Sequence, residues 1–314
     1  MNSARRAVID IGTNSVKLLV ADVAGHDVRP LLEDSKQTRL GHGFYETHTL
    51  QPATIAKTAE AVARFAEAAR GLNAQTIRVI ATSAARDAKN PRDLTDAIER
   101  ASGLKVEIIS GEQEADWAFQ GVTSDPALAQ HPLLLLDVGG GSTEFILGHG
   151  ERKDFRHSFP LGSVRLLEKF PVSDPPAPAE LAVVRAWLKH FLFAEVRPKI
   201  RAELYYEDKF ARVQLVGTGG TTSILARMEA KLESYDRARI EATRLSLAQV
   251  RAHRERLWSL PLAERKRIIG LPPKRADVIL SGTAIYEAVM AEFGFTELRV
   301  STRGLRFAAV MAGA

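Results

Sequence analysis

Val8–Val20 reads V-I-D-I-G-T-N-S-V-K-L-L-V, and Leu135–Leu147 reads L-L-D-V-G-G-G-S-T-E-F-I-L. Each stretch runs apolar residues into an Asp, then Gly, then a hydroxyl-rich turn, then a second apolar run. That pattern predicts a β-hairpin with a turn of small donor residues. Glycine lets backbone N–H groups approach an anion closely, and it can take the positive φ that an anion-binding nest requires. The Asp ending each first strand, Asp10 or Asp137, can hold a metal or a water. Two such hairpins predict two similar domains with a phosphate clasped between them.

Working outward, strands and helices alternate. Val28–Arg39 reads as a further strand and Pro52–Gly71 as an amphipathic helix, with Ile55, Ala59, Val62, Phe65 and Ala66 at helical spacing. Ile77–Thr82 reads as a buried strand, Pro91–Ala101 as a helix and Lys105–Ile109 as a strand. Ser110 caps the next helix, with Gln113 three residues on. Pro171–Pro178 is a rigid connector that starts a long helix, Glu180–Val196. Val213–Val216 is a strand running into G-T-G-G-T-T. Leu247–Ile269 reads as basic helix, Arg275–Phe293 as a helix interrupted at Gly282, Leu298–Ser301 as a final strand and Leu305–Met311 as a closing helix. The duplicated order predicts α/β architecture with two mixed sheets flanked by helices. The expected domains are residues 1–124 and 125–314, with the closing helix, about 303–314, free to pack back on the first. Gly121 and the connector before Leu133 are the expected flexible points.

A chain of 314 residues is long for one core and comfortable for two. With 45% hydrophobic and 26% charged residues it reads as an ordinary folded protein. It has no apolar run of about 20 residues, so no membrane span is expected. Asp10 cuts the apolar stretch after Arg5 and Arg6 too early for a signal peptide. With no cysteine, disulfides and thiolate catalysis are excluded, and a cytoplasmic location is expected. The net charge of +5 favours acidic substrates, although a generally basic surface would give the same value. Nucleic acid is not an expected partner, because no aromatic-and-basic interleaving is present.

Several residues carry candidate chemistry. Asp10, Gly12, Thr13, Asn14 and Ser15 form a first candidate phosphate loop; a plain hairpin turn is the simpler alternative. Lys17 shares a strand face with Ser15, as a phosphate contact or a solvated lysine. Gly139, Gly140, Gly141, Ser142 and Thr143 form the second loop, where three adjacent glycines need a reason such as close ligand approach. Asp137 and Glu144 are two carboxylates that can share a divalent ion, and Mg²⁺ suits them because it takes oxygen ligands and keeps waters beside a phosphate. Thr218, Gly219, Gly220 and Thr221 look like a third nest. The histidines lack metal-ligand spacing and read as surface residues. Trp117, Phe119, Phe191 and Phe193 read as core. The basic stretch Arg244–Arg275 reads mainly as a solvated helix face.

The set D-I-G-T-N-S, A-T-S-A-A-R-D-A-K-N, I-I-S-G-E-Q-E-A, L-D-V-G-G-G-S-T-E, L-G-S-V-R-L, G-T-G-G-T and S-T-R-G-L-R resembles the exopolyphosphatase/guanosine pentaphosphate phosphohydrolase (Ppx/GppA) family, of the actin-like superfamily. The resemblance spans about Val8 to Met311. It implies two actin-like (ribonuclease H-like) domains with an active site in the interdomain cleft. It implies hydrolysis of the terminal phosphoanhydride of polyphosphate and of guanosine pentaphosphate. By the resemblance the chain is expected to correspond to the family's two-domain core, without the further C-terminal domains of longer members.

By the same resemblance the loops grip phosphate oxygens and Glu114 is the catalytic glutamate. A positioned base takes the proton of the attacking water. Acids in a first helical turn also complement the helix dipole, and Glu112 is read in that role alone. Gln113 stands where several members carry a second acid. Arg86 is implied to point into the cleft, where a guanidinium can grip phosphate bidentately. Lys274 and Arg275 resemble a basic pair near the substrate channel. A non-hydrolytic phosphate-binding sensor and a superfamily kinase are the alternatives, and a homodimer is left open.

Overall fold

The computed structural model describes residues 3–204 and 213–312. The chain divides into two compact units, Met1–Ser124 with Arg303–Ala314, and Asp125–Thr302. The helix Leu305–Met311 therefore counts with the first unit, where Arg6 donates to the carbonyls of Val310 and Met311.

The first unit holds β1 (Ala4–Ile11), β2 (Ser15–Ala24), β3 (Asp27–Gln37), β4 (Thr76–Ala81) and β5 (Val106–Ile108), in the sheet order β3-β2-β1-β4-β5. β1 pairs antiparallel with β2 and parallel with β4. From Ala7 to Ile11 it is buried, and apolar apart from Asp10, because both faces are covered there. Ile9 and Ile11 join a cluster with Val62 and Phe65 of the helix Pro52–Gly71. Val8 points the other way, into a cluster with Trp117 and Phe307. Asp10 alternates onto that same second face.

The second unit repeats the plan. It holds β6 (Leu133–Val138), β7 (Thr143–His149), β8 (Arg152–Phe159), β9 (Gln214–Thr218), β10 (Arg244–Ser246) and β11 (Glu297–Val300), in the order β10-β11-β9-β6-β7-β8. β6 pairs antiparallel with β7 and parallel with β9. The sheets thus match strand for strand, and β10 is the addition at one edge. The helices Pro178–Phe191, Gly219–Glu229, Leu247–Ser259 and Ile279–Phe293 contribute Leu188, Leu225, Leu257 and Tyr286 to this unit's core.

Several expectations change. The long helix starts at Pro178 and passes through a π-helical turn, Leu192–Val196, before Arg197–Leu204. Pro198 supplies a reason, since its ring lacks an N–H and clashes with the carbonyl four residues back. The basic helix stops at Ser259, where Pro261 holds Leu260 extended at ψ 143. Arg275 lies in a 3-10 turn, Pro273–Arg275, and the following helix begins at Ile279. Gly282 does not interrupt that helix; it lets Thr221 pack against the backbone. Gly121 is not a flexible point. It is buried inside the helix Gly111–Thr123, where a Cβ would strike the Gly304 carbonyl. Phe193 is 60% exposed, not core. Arg254 and Arg265 are buried, so the basic stretch is not wholly a solvated face. His253 is largely covered and lies 2.8 Å from Glu229, unlike the exposed histidines.

Candidate active site

The two hairpin turns close in the same way. The Gly12 N–H donates to the Ser15 carbonyl at 3.0 Å, and the Gly139 N–H donates to the Ser142 carbonyl at 3.0 Å. Each turn follows an Asp by two residues and ends on a serine. The register then sets what faces each Asp: Lys17 stands opposite Asp10, and Glu144 stands opposite Asp137.

In the first unit, Asp10, Thr13, Asn14 and Ser15 are all buried. The carbonyls of Thr13 and Asn14 accept from Gly41 N–H at 2.8 Å and Arg39 N–H at 3.1 Å, and Gln37 Nε2 donates to Asn14 Oδ1 at 3.2 Å. Thr13 Oγ1 and Asn14 Nδ2 are buried without a hydrogen-bond partner among the described residues. Such atoms cost stability unless something satisfies them. Burial pushes the Asp10 carboxyl above the usual carboxylate range, and the charges of Lys17 and Arg306 pull it back down. Arg306 is held in place by donating to the Leu18 carbonyl at 2.6 Å and to Glu33 at 3.3 Å.

Glu114 is in the first turn of the helix Gly111–Thr123, whose N-cap Ser110 accepts from the Gln113 N–H. Arg86 donates to Glu114 Oε2 at 2.9 Å and to the Ile109 carbonyl at 3.2 Å. The side chains of Arg86 and Glu114 are only 23% and 11% exposed. Arg86 is thus a partner of Glu114, which leaves it less of its fork for a phosphate than the resemblance implies.

In the second unit, the carbonyls of the glycine turn are all taken. Gly139 accepts from the Ser163 N–H at 2.9 Å, Gly140 from the Val164 and Arg165 N–H groups at 2.8 and 3.0 Å, and Gly141 from Arg165 Nε at 2.8 Å. A trans peptide points its C=O and N–H in opposite directions. The N–H groups of Gly140, Gly141 and Ser142 therefore turn away from the Ser163–Arg165 segment, as an anion nest requires. Gly162 makes the approach possible, since a Cβ there would strike the Gly140 backbone. Sequence reasoning noted L-G-S-V-R-L only as a resemblance and missed this support. Thr143 is buried and donates its hydroxyl to the Leu161 carbonyl, so its one hydroxyl proton goes to the loop's frame.

Glu144 is 1% exposed, and Ser158 donates to its Oε1 at 2.7 Å. Directly opposed carboxylates repel across an antiparallel pair. Two hard anionic oxygens on one face suit Mg²⁺, with waters and phosphate oxygens completing its shell. No group of three or more His, Cys, Asp or Glu gathers in a metal-holding cluster among the described residues, so the pair would hold the ion without further acidic ligands. The Asp137 carboxylate also lies against Gly219, whose φ is +87 and where a Cβ would strike it. Arg275 lies as close over Gly220, while Lys274 is exposed. Tyr286, which the sequence reading did not single out, donates to the carbonyls of Leu136 at 3.2 Å and Thr218 at 3.3 Å, tying β6 to β9 beneath the site. Burial, and then the Asp137 charge, pushes its hydroxyl far above the usual range, so it stays neutral.

Residues 19–311 match the model of the Ppx/GppA phosphatase family. The chain is 34% identical over 315 residues to exopolyphosphatase 2 of Mycobacterium tuberculosis, covering 96% of this chain and 96% of that one. Among solved structures, the Ppx/GppA enzyme of Aquifex aeolicus is 30% identical, with a TM-score of 0.78 over 99% of this chain and all of the other. An exopolyphosphatase from Cytophaga hutchinsonii is 26% identical, with a TM-score of 0.87 over 99% of this chain and 98% of that one.

Proposed function

The chain belongs to the Ppx/GppA phosphatase family, and from that premise we propose that it is an exopolyphosphatase that removes the terminal phosphate of inorganic polyphosphate, with guanosine pentaphosphate as a second substrate. Its two units share the actin-like arrangement of a mixed sheet flanked by helices, and it is a hydrolase of phosphoanhydrides. No helix among the described residues is long and apolar enough to cross a membrane.

The observation that carries this reading is the pair of buried, unpartnered donors in the first loop, Thr13 Oγ1 and Asn14 Nδ2. A phosphate oxygen accepts from both and offsets their desolvation. In the second loop, the N–H groups of Gly140, Gly141 and Ser142 receive oxygens of the phosphoryl group as charge builds on them. Such preorganised donors act where charge develops in the transition state. Glu114, oriented by Arg86, accepts the proton of the water that attacks the terminal phosphorus. Asp137 and Glu144 are the residues that would hold Mg²⁺, which supplies charge neutralisation on the phosphate oxygens when bound. Gly219, at the start of the helix Gly219–Glu229, and Arg275, packed over Gly220, extend the donor surface beside Asp137.

The test is phosphate release from polyphosphate and from guanosine pentaphosphate, with and without Mg²⁺. Release from neither, by a folded chain with metal present, would overturn the assignment. Release from polyphosphate alone would remove the second substrate.

A further inference from the structure

Glu144 has a carboxylate on one side of it and a hydroxyl on the other. Asp137 stands opposite it on β6, and Ser158 stands opposite it on β8. Directly opposed residues share a face of the sheet, so the three form one polar row across three strands. The first sheet has a row in the same place. Asp10 stands opposite Lys17, and Lys17 opposite Ser35. There the serine is exposed and stands beside a cation. In the second sheet it stands beside a carboxylate.

The contact on β8 is short and firmly held. Ser158 Oγ donates to Glu144 Oε1 at 2.7 Å, the length of a hydroxyl on an ionised oxygen. Glu144 is 1% exposed, and a charge that deep needs such donors. A serine has one hydroxyl proton, so it fixes one carboxylate oxygen and not both. β8 is the last strand of its sheet. The next residue along each strand, Phe145 and Phe159, belongs to the core on the other face, where the two rings meet edge to face at 5.3 Å. That packing holds the Ser158 end of β8 against β7. Repulsion from Asp137 on one side and the Ser158 bond on the other thus fix the Glu144 carboxylate before an ion arrives. A ligand group ordered in advance binds more tightly, because less freedom is lost on binding.

We propose that Ser158 is a positioning residue for the divalent cation. Its hydroxyl holds one oxygen of Glu144, so that the other is presented to the ion together with Asp137. The inference rests on the reading that Asp137 and Glu144 hold the metal, and it adds the outer strand β8 to that site.

The probe is Mn²⁺, which takes the same oxygen ligands as Mg²⁺. It is titrated into the full chain without substrate while the EPR signal of free Mn²⁺ is followed. Binding that Asp137→Asn removes marks the site. Ser158→Val should weaken that binding about tenfold to a hundredfold, the usual effect of losing a hydrogen-bond partner of a metal ligand. Ser158→Thr has the same shape and keeps a hydroxyl, so it should bind nearly as tightly as the native chain. Both replacements are β-branched and suit a strand, and circular dichroism checks their folding. In polyphosphate hydrolysis, Ser158→Val should need more Mg²⁺ for half-maximal rate and recover near-native turnover at saturating Mg²⁺. Equal Mn²⁺ binding by the Val and Thr variants, native-like or weakened, while Asp137→Asn still loses it, would overturn the role of Ser158 and leave the metal site standing. No Mn²⁺ binding by the native chain, or binding that Asp137→Asn leaves unchanged, would overturn the preformed metal pair and the proposal with it.

Discussion

Glu144 stands directly opposite Asp137 across β6 and β7, in the position that Lys17 takes opposite Asp10 across β1 and β2. One hairpin geometry therefore presents an Asp with a cation in the first unit and with a second carboxylate in the other. The first pair balances its own charge. The second gathers negative charge on one face, and a hard divalent cation is the natural counterpart.

From that asymmetry, Asp137→Asn or Glu144→Gln should raise the Mg²⁺ concentration that gives half-maximal activity, because each removes an anionic oxygen. Lys17→Met should leave that midpoint in place. Rate is titrated against metal for all three. An unchanged midpoint in both acidic variants would show that the ion is held elsewhere.

Glu114→Gln should lower turnover by about 10²–10⁴-fold, the usual contribution of a positioned base. Because Arg86 is its 2.9 Å partner, Arg86→Gln should lose activity through the same group. The double variant should then be little worse than Glu114→Gln alone, since coupled residues are non-additive. Steady-state phosphate release measures all three. Fully multiplicative losses would make Arg86 an independent contributor.

Asp10 should give stability a distinctive pH dependence. Burial, the largest influence, raises its pKa against the opposing charges of Lys17 and Arg306. A carboxyl raised in the folded state contributes stability below its unfolded pKa and loses it as pH rises through the folded value. Asp10→Asn should therefore gain on the native chain as pH climbs from about 4 towards 7, while activity falls. Urea unfolding across that range, in chelator, checks the trend. A difference that is flat, or that shrinks with pH, would count against it.

Gly121→Ala should destabilise the first unit by about 1–3 kcal/mol, the usual penalty of overpacking. The added methyl meets the Gly304 carbonyl, which belongs to the turn before the helix Leu305–Met311. Urea or thermal unfolding reads the change. A variant as stable as the native chain would show that the helix pair has slack.

The hairpins, the alternation of strands and helices and the candidate loops were legible because their signals are local. An apolar run broken by Asp-x-Gly and a hydroxyl-rich turn has few ways to fold, and Asp137 and Glu144 share a face once the hairpin closes. The helix ends were less legible, since one proline near Ser259 and another after Val196 outweighed the periodicity around them.

By itself, then, the sequence determined the duplicated plan and where its phosphate-type turns fall, because both follow from backbone preference and side-chain period within a few residues. Tertiary structure decided who supports them. Arg86 meets Glu114 across 28 positions, Arg165 holds Gly141 across 24, and Arg306 reaches Leu18 across 288. It also left Phe193 in solvent and pressed Gly121 against Gly304. Those outcomes depend on which distant segments share a surface, and no local pattern of residue types encodes that.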